Sequence, residues 1–292
     1  MVIVGAGECG ARAALSFREA GYSGAVTMVG AERHLAYERP PLSKETMLAG
    51  EVLPPKMVAS AERLAAAAIT AILGTAVISI DQEVRAVVLA DGARIAYDKL
   101  LIATGSVSRH LSLAGPPGGR IAYLRTFEEA LHIRAALCVG AHVVIIGWGF
   151  IGLEIAASAR TRGARVTVIE ALPRVLSRVV PEAIAAVVDA RHRSAGVTIH
   201  CGTGVVRIAE NADAVDVGLS DGRSLAADLV VIGIGAVPVV ELAENAGLQV
   251  ANGIVVDDHL QTSDPDIYAA GDCCAFPLAI YGGRRVLSLI HI

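Results

Sequence analysis

Aromatic side chains make up only 4% of this chain and charged ones only 18%, against 54% hydrophobic. So low a charge and so high an apolar share exclude a disordered chain. Because the apolar residues are mostly Ala, Val, Ile, Leu and Gly, they point to buried parallel strands crossed by closely packed, Ala-rich helices. No basic excess exists either: the net charge is -4, which leaves no electrostatic footprint for nucleic acid. The cysteines Cys9, Cys138, Cys201, Cys273 and Cys274 form no Cys-x-x-Cys pair and no regular framework, as suits a reducing compartment. None of the histidines stands in metal-ligand spacing with another ligand, so no metal is expected. No apolar run reaches the length of a membrane span, and the longest, such as residues 229–240, contain Gly and Pro. The opening MVIVGAGECG lacks the basic and long apolar regions of a signal peptide. These absences predict a cytoplasmic protein that neither crosses a membrane nor binds nucleic acid.

What is present is a repeat. Residues 1–32 read MVIVGAGECGARAALSFREAGYSGAVTMVGAE and residues 142–170 read HVVIIGWGFIGLEIAASARTRGARVTVIE. Each copy opens with a short β-branched run, turns through G-x-G-x-x-G, continues as an Ala-rich helical stretch, and meets a second β-branched run ending beside an acid. A lone glycine motif is weak evidence, but here each copy has the strand before, the helix after and the acid at the expected distance. Gly5 and Gly147 permit the tight turn, Gly7 and Gly149 let backbone approach a pyrophosphate, and Gly10 and Gly152 let helix pack on strand. Unpaired amides at the helix start then face the phosphates.

The acids carry ligand information. Glu170 ends the run VTVIE, where a carboxylate accepts from ribose hydroxyls and repels the 2′-phosphate of NADP. No Arg immediately follows Glu170 to receive that phosphate, so NADH is expected over NADPH, although Arg174 and Arg178 lie near enough in sequence to reach one. Glu32 stands just beyond AVTMVG, a looser match. After each glycine unit come further strand-like runs: residues 76–80 and 86–89, Asp91-Gly92 and YDKLLIATG, and later residues 204–208 and 214–219, Asp221-Gly222 and DLVVIGIG. The repeat thus covers a whole domain plan, and the length allows about two domains. A last strand is expected in TSDPDIYAAGD (262–272).

VIVGAGECG, YERPPLSK (37–44), YDKLLIATGS (97–106), YLRT (123–126), VVIIGWGFIGLE (143–154), DLVVIGIGAVPVVELAENAGLQV (228–250), GIVVDDHLQTSDPDIYAAGDC (253–273) and GGRR (282–285) follow one another in register. With these the chain resembles the FAD-dependent pyridine nucleotide-disulfide oxidoreductases, and among them the ferredoxin-reductase group. The resemblance implies an α/β fold of two Rossmann-like dinucleotide-binding domains with parallel sheets and small antiparallel excursions. It implies a discontinuous FAD domain over 1–110 and 239–292, with an NAD domain over 111–238. By position, Gly5, Gly7, Cys9 and Gly10 are implied at the FAD pyrophosphate and Glu32 near its adenosine ribose. Lys44, Val77, Arg125 and Asp272 are implied as further FAD contacts, and Gly149, Ile151, Glu154, Glu170 and Gly235 as NADH contacts. Ala31 stands where many members have Asp, and Glu32 is expected to take over its role.

The same resemblance implies an activity: hydride from NADH to FAD, then single electrons to a [2Fe–2S] ferredoxin or a rubredoxin serving an oxygenase. Such chemistry belongs to the cofactor, and the protein supplies geometry and electrostatics. Lys44 and Glu154 are the two residues expected to act on it directly, Lys44 as a cation near the flavin and Glu154 beside Lys44 and the nicotinamide amide. A solvated lysine and a first-turn helix acid are the ordinary alternatives for them. Residues 37–44 hold no cysteine, which argues against disulfide reduction and against oxidases that use a sulfenic acid. Cys273-Cys274 and Cys9 read better as small packing residues than as redox groups. A NADH-binding flavoprotein with a sensing role, like apoptosis-inducing factor, and a NADH oxidase or nitrite-reductase-like flavoenzyme stay open beside the leading reading, as does the oligomeric state. After Val286 the run LSLIHI departs from the segment the family carries there. That departure predicts a foreign or frameshifted tail on a chain whose C-terminal interface domain is absent.

Overall fold

The computed structural model describes residues 1–279 and 282–286; the run Leu287–Ile292 lies outside them. The chain divides into two compact units, one of residues 1–38, 56–107 and 237–292 and the other of residues 39–55 and 108–236. The division differs from a boundary at 110 and 239 chiefly in that residues 39–55 belong to the second unit.

The first unit is built on a five-stranded sheet in the order Ile267–Ala269, Leu100–Ile102, Val2–Val4, Val26–Gly30, Ile69–Leu73. Every neighbouring pair is parallel. The strand Val2–Val4 is buried along its whole length because helix-side and opposite faces are both covered, as its unbroken apolar run requires. Its Ile3 packs with Ala11, Ala14 and Leu15 of the helix Glu8–Glu19, and Val2 and Val4 pack with Val87 and Leu89 on the other side. Those last two come from the antiparallel excursion Val77–Asp81, Ala86–Leu89, Arg94–Ala96. A further sheet joins Val250–Ala251, Gly253–Val255, Cys274–Leu278 and Arg284–Val286.

The second unit repeats the plan. Its parallel sheet runs Val197–Cys201, Arg165–Glu170, His142–Ile146, Leu229–Ile232, Ile121–Ala122. In both sheets the strand that precedes the glycine turn lies between the strand after the helix and the returning strand. The excursion Val205–Glu210, Val215–Leu219, Ser224–Ala227 covers one face, where Val215, Val217 and Leu219 pack on Val144, Ile146 and Val230. The α/β class with two parallel sheets and small antiparallel ones therefore stands as the sequence implied. A capping box starts the helix Phe127–Ala136, with Thr126 accepting from the Glu129 amide and Glu129 accepting from the Thr126 amide.

Within this unit the segment 39–55 forms a 3-10 turn, Pro40–Ser43, and a short helix, Glu45–Leu48. Arginines hold it down. Arg162 donates to Met47 O at 3.2 Å, and Arg134 donates to Ala49 O at 2.7 Å and Gly50 O at 3.3 Å. The Met47 and Ala49 carbonyls lie at the helix end, where carbonyls lack intrahelical partners, so cations are natural ligands for them.

Candidate functional site

In the first unit the chain leaves Val2–Val4 through Gly5, whose φ of +115° is closed to ordinary side chains, and a Cβ there would lie 2.1 Å from Ala103 O. A Cβ on Gly10 would lie 1.9 Å from Gly5 O, so helix and turn touch backbone to backbone. Gly7 differs from both. It caps the helix with an extended φ of -79°, and among the described residues nothing lies within 4 Å of where its Cβ would stand. Neither conformation nor packing demands glycine at this position; an open approach to the amides at the helix start explains it.

Strands and loops of the same unit carry its other candidates. Glu32 lies two residues past the strand end and accepts from the buried Tyr37 hydroxyl at 2.5 Å. Asp272 accepts from Ser106 Oγ at 3.1 Å. Val77 opens the antiparallel excursion, half-buried. Cys9 packs against Gly271, whose φ is +81° and whose Cβ would lie 3.1 Å from that of Cys9. Burial, reinforced by neighbouring Cys273, pushes the Cys9 thiol up to about 11, and burial pushes Cys274 up to about 12. Cys273 is shifted the same way and donates to Ala270 O. All five thiols are free and those beside the glycine turn are protonated at neutral pH, as packing residues would be.

The second unit presents the same arrangement. Gly147 has φ +96° with Gly233 O 2.5 Å from its would-be Cβ, Gly152 would meet Gly147 O at 2.4 Å, and Gly149 again faces open space. Beside it Ile151 is 45% exposed, an apolar side chain that the fold leaves uncovered at the helix start. Gly235, at φ +111°, offers its carbonyl to the Arg109 amide. Glu170 ends its strand with the carboxylate turned back to the turn. Oε2 accepts from the Trp148 amide at 2.9 Å and Oε1 from the Leu172 amide at 2.7 Å. Trp148 itself is buried at the turn, edge-on to His192 at 5.3 Å, and its indole N–H has no acceptor among the described residues. Arg174 is engaged in its own loop, where it donates to Val175 O, Ser177 O and Val180 O.

Lys44 and Glu154, far apart in sequence, meet in this unit. Lys44 Nζ lies 2.9 Å from Glu154 Oε2 and 3.1 Å from Pro40 O, with the two side chains 43% and 31% exposed. A third residue joins them: Ser43 donates to the same Glu154 Oε2 at 2.5 Å. Sequence reasoning passed over Ser43, and the one signal available was its place beside Lys44. Arg125, expected at the first dinucleotide, also lies in the second unit, where its amide donates to Glu129 and its carbonyl accepts from Arg39. The candidates therefore fall into two sets. Gly5, Gly7, Cys9, Gly10, Glu32, Val77 and Asp272 belong to the first unit, whereas Lys44, Arg125, Gly147, Gly149, Ile151, Gly152, Glu154, Glu170 and Gly235 belong to the second.

Each unit thus carries an open cradle of helix-start amides, at Gly7 and at Gly149, with a carboxylate at the end of the neighbouring strand. Such a cradle fits a diphosphate flanked by a ribose. Among the described residues no group of His, Cys, Asp and Glu could hold a metal ion, and no helix is long and apolar enough to cross a membrane.

Comparison with known proteins agrees with this geometry. A family model described as pyridine nucleotide-disulphide oxidoreductase matches residues 1–291. A rubredoxin-NAD(+) reductase of Pseudomonas putida is 40% identical over 297 residues, covering 100% of this chain and 76% of that one. The ferredoxin–NAD(+) reductase component of a p-cumate 2,3-dioxygenase system from Pseudomonas putida is 41% identical over 277 residues, covering 95% and 68%. Putidaredoxin reductase, in its covalent complex with putidaredoxin, superposes with a TM-score of 0.94 at 39% identity, over 98% of this chain and 70% of the other. With its paired glycine cradles and this likeness along nearly its whole length, the chain belongs to the pyridine nucleotide-disulphide oxidoreductases.

Proposed function

We propose that the chain is an FAD-dependent NADH reductase of a small electron carrier, a [2Fe–2S] ferredoxin or a rubredoxin that serves an oxygenase. The observation that carries this reading is the pair of open glycine cradles, one in each unit, in a chain with no cysteine in residues 37–44. When bound, FAD would supply the conversion of a hydride from NADH into single electrons, which an iron–sulfur carrier needs.

The protein's part is binding and orientation. The amides behind Gly5, Gly7, Cys9 and Gly10 would hold the FAD pyrophosphate, with Glu32 at the ribose and Asp272 and Val77 as further contacts. Gly147, Gly149 and Gly152 do the same for NADH, with Ile151 and Gly235 against the dinucleotide. Glu170 takes the adenosine ribose: each oxygen already accepts one amide, and each keeps a lone pair for a hydroxyl. Its charge repels a 2′-phosphate, and Arg174 is engaged with loop carbonyls, so both features favour NADH. Glu154 accepts from the nicotinamide carboxamide, and Lys44 supplies the cation that steadies negative charge on the reacting rings. Free thiols and the lack of a membrane-crossing helix among the described residues support a cytoplasmic setting.

The test is an anaerobic titration of the purified protein with NADH, followed by addition of a ferredoxin or a rubredoxin with cytochrome c as the final acceptor. A flavin band that NADH bleaches, and cytochrome c reduction that depends on the added carrier, are expected. Bleaching without carrier-dependent turnover would point to a sensing flavoprotein and would sink the reductase reading.

A further inference from the structure

The Glu154 carboxylate is held in an unequal way. Oε2 accepts from Ser43 Oγ at 2.5 Å and pairs with Lys44 Nζ at 2.9 Å, while Oε1 has no protein donor among the described residues. Ser43 is only 4% exposed and sits in the rigid 3-10 turn Pro40–Ser43. Its carbonyl accepts from Ser158 Oγ at 2.8 Å, and Ser158 is itself 4% exposed. Ser158 follows Glu154 by four residues on the helix Phe150–Thr161, so hydroxyl and carboxylate stand on one face. The helix thus grips Ser43 twice, once by its carbonyl and once by its hydroxyl.

The terminal torsion of a glutamate is broad, so nothing in the side chain itself selects the plane in which its carboxylate lies. Lys44 does not select it either, since an ammonium on a flexible stem is a point charge that follows either oxygen. A buried hydroxyl on a fixed turn does.

We propose that Ser43 is a positioning residue for the nicotinamide ring: it locks Oε2 inward, so that Oε1 alone is presented to the carboxamide N–H of NADH. The inference rests on the reading of Glu154 given under Proposed function. A carboxamide that finds one fixed acceptor has one favoured orientation, and the ring it carries is fixed with it.

The chain's single tryptophan, Trp148, lies in the second glycine turn, and its emission is the probe for dinucleotide binding. NADH and reduced 3-acetylpyridine adenine dinucleotide, whose methyl ketone has no N–H to donate, are titrated against the wild type, Ser43→Ala and Glu154→Ala. The wild type should bind NADH the more tightly. Ser43→Ala should weaken NADH about tenfold, the loss of a hydrogen bond to a charged group, and the analogue by less than about twofold. Glu154→Ala should erase the preference.

If Ser43→Ala weakens both dinucleotides equally, or neither, while Glu154→Ala erases the preference, the role of Ser43 is overturned and that of Glu154 stands. If Glu154→Ala leaves the preference intact, the reading of Glu154 falls and the inference with it. Ser158→Ala, which keeps the Ser43 hydroxyl and frees only its carbonyl, guards against misfolding of the first variant. A partial loss of the preference there supports the proposal, and an unchanged preference counts against it.

Discussion

Replacing Gly149 by Ala, and separately Gly152 by Ala, divides two demands that one glycine motif meets at once. At Gly152 the new methyl would stand 2.4 Å from the backbone oxygen of Gly147, where carbon and oxygen ordinarily approach to about 3.3–3.6 Å. Helix and turn would have to part by about 1 Å, and overpacking of this kind costs about 1–3 kcal/mol. The better helix propensity of Ala returns up to about 1 kcal/mol of it. Mid-range values leave a net loss of about 1–2 kcal/mol, which should lower Tm by roughly 2–8 °C. At Gly149 the methyl meets nothing within 4 Å among the described residues, and the φ of -85° suits alanine. A weaker N-cap is then offset by the stiffer unfolded chain, so Tm should hold to within about 2 °C. Binding should respond in the opposite way. A phosphate oxygen must come to about 2.9 Å from the turn amides, and the methyl of Gly149→Ala occupies that approach. Loss of one charge-assisted hydrogen bond, roughly 1.5–3 kcal/mol, predicts at least about tenfold weaker NADH binding. Scanning calorimetry and the emission of Trp148 measure the two quantities on the same samples. A Gly149→Ala protein that binds NADH as the wild type does would refute the argument, as would one that melts as early as Gly152→Ala.

Glu170→Gln should weaken NADH and narrow its advantage over NADPH, because the amide turns a donor toward either the Trp148 or the Leu172 amide; Kd values for both dinucleotides check this, and an unchanged ratio would remove Glu170 as the discriminating group. Burial, with a lesser push from Arg165, holds His142 below its ordinary range, and its ring bridges Ala226 O and Thr167 Oγ1. The unfolded chain therefore takes up the proton first: stability is full above the unfolded value of about 6.5 and falls as pH drops below it. His192 and His200, lowered chiefly by burial, act in the same direction. Tm measured from pH 7.5 to 5.5 should decline, and less steeply in His142→Gln; equal slopes would show that His142 is not the group responsible. The raised thiols of Cys9, Cys273 and Cys274 predict that a disulfide reagent at pH 8 labels exposed Cys138 first and those three last, as peptide mapping would show. Early labelling of Cys273 or Cys274 would overturn their reading as packing residues.

The two glycine turns were legible in the sequence because what they need is local. Gly5 and Gly147 must turn at positive φ directly after a buried strand, and Gly10 and Gly152 must pass a carbonyl five residues earlier in the chain. The strand order around them follows from the same local plan, since a short crossover helix returns the chain parallel to the strand it left. The acids Glu32 and Glu170 were legible for a related reason, each standing at or just past the end of the strand beside its turn.

The partnerships were not legible, because they join residues that no periodicity or spacing connects. Ser43 meets Glu154 across 111 residues and Ser158 across 115. No pattern in the sequence pairs Arg134 with the carbonyls of Ala49 and Gly50, or Arg162 with that of Met47, contacts that hold this segment within the second unit. Arg174 looked able to serve a phosphate by its place after Glu170, and only the folded loop engages its guanidinium with carbonyls. Sequence by itself therefore determined which backbone could approach a dinucleotide, because glycine's freedom and close contact act over a few residues. Tertiary structure alone decided how the Glu154 carboxylate is turned and which arginines are occupied, because hydrogen bonds between distant side chains exist only once the sheet has brought them within about 3 Å.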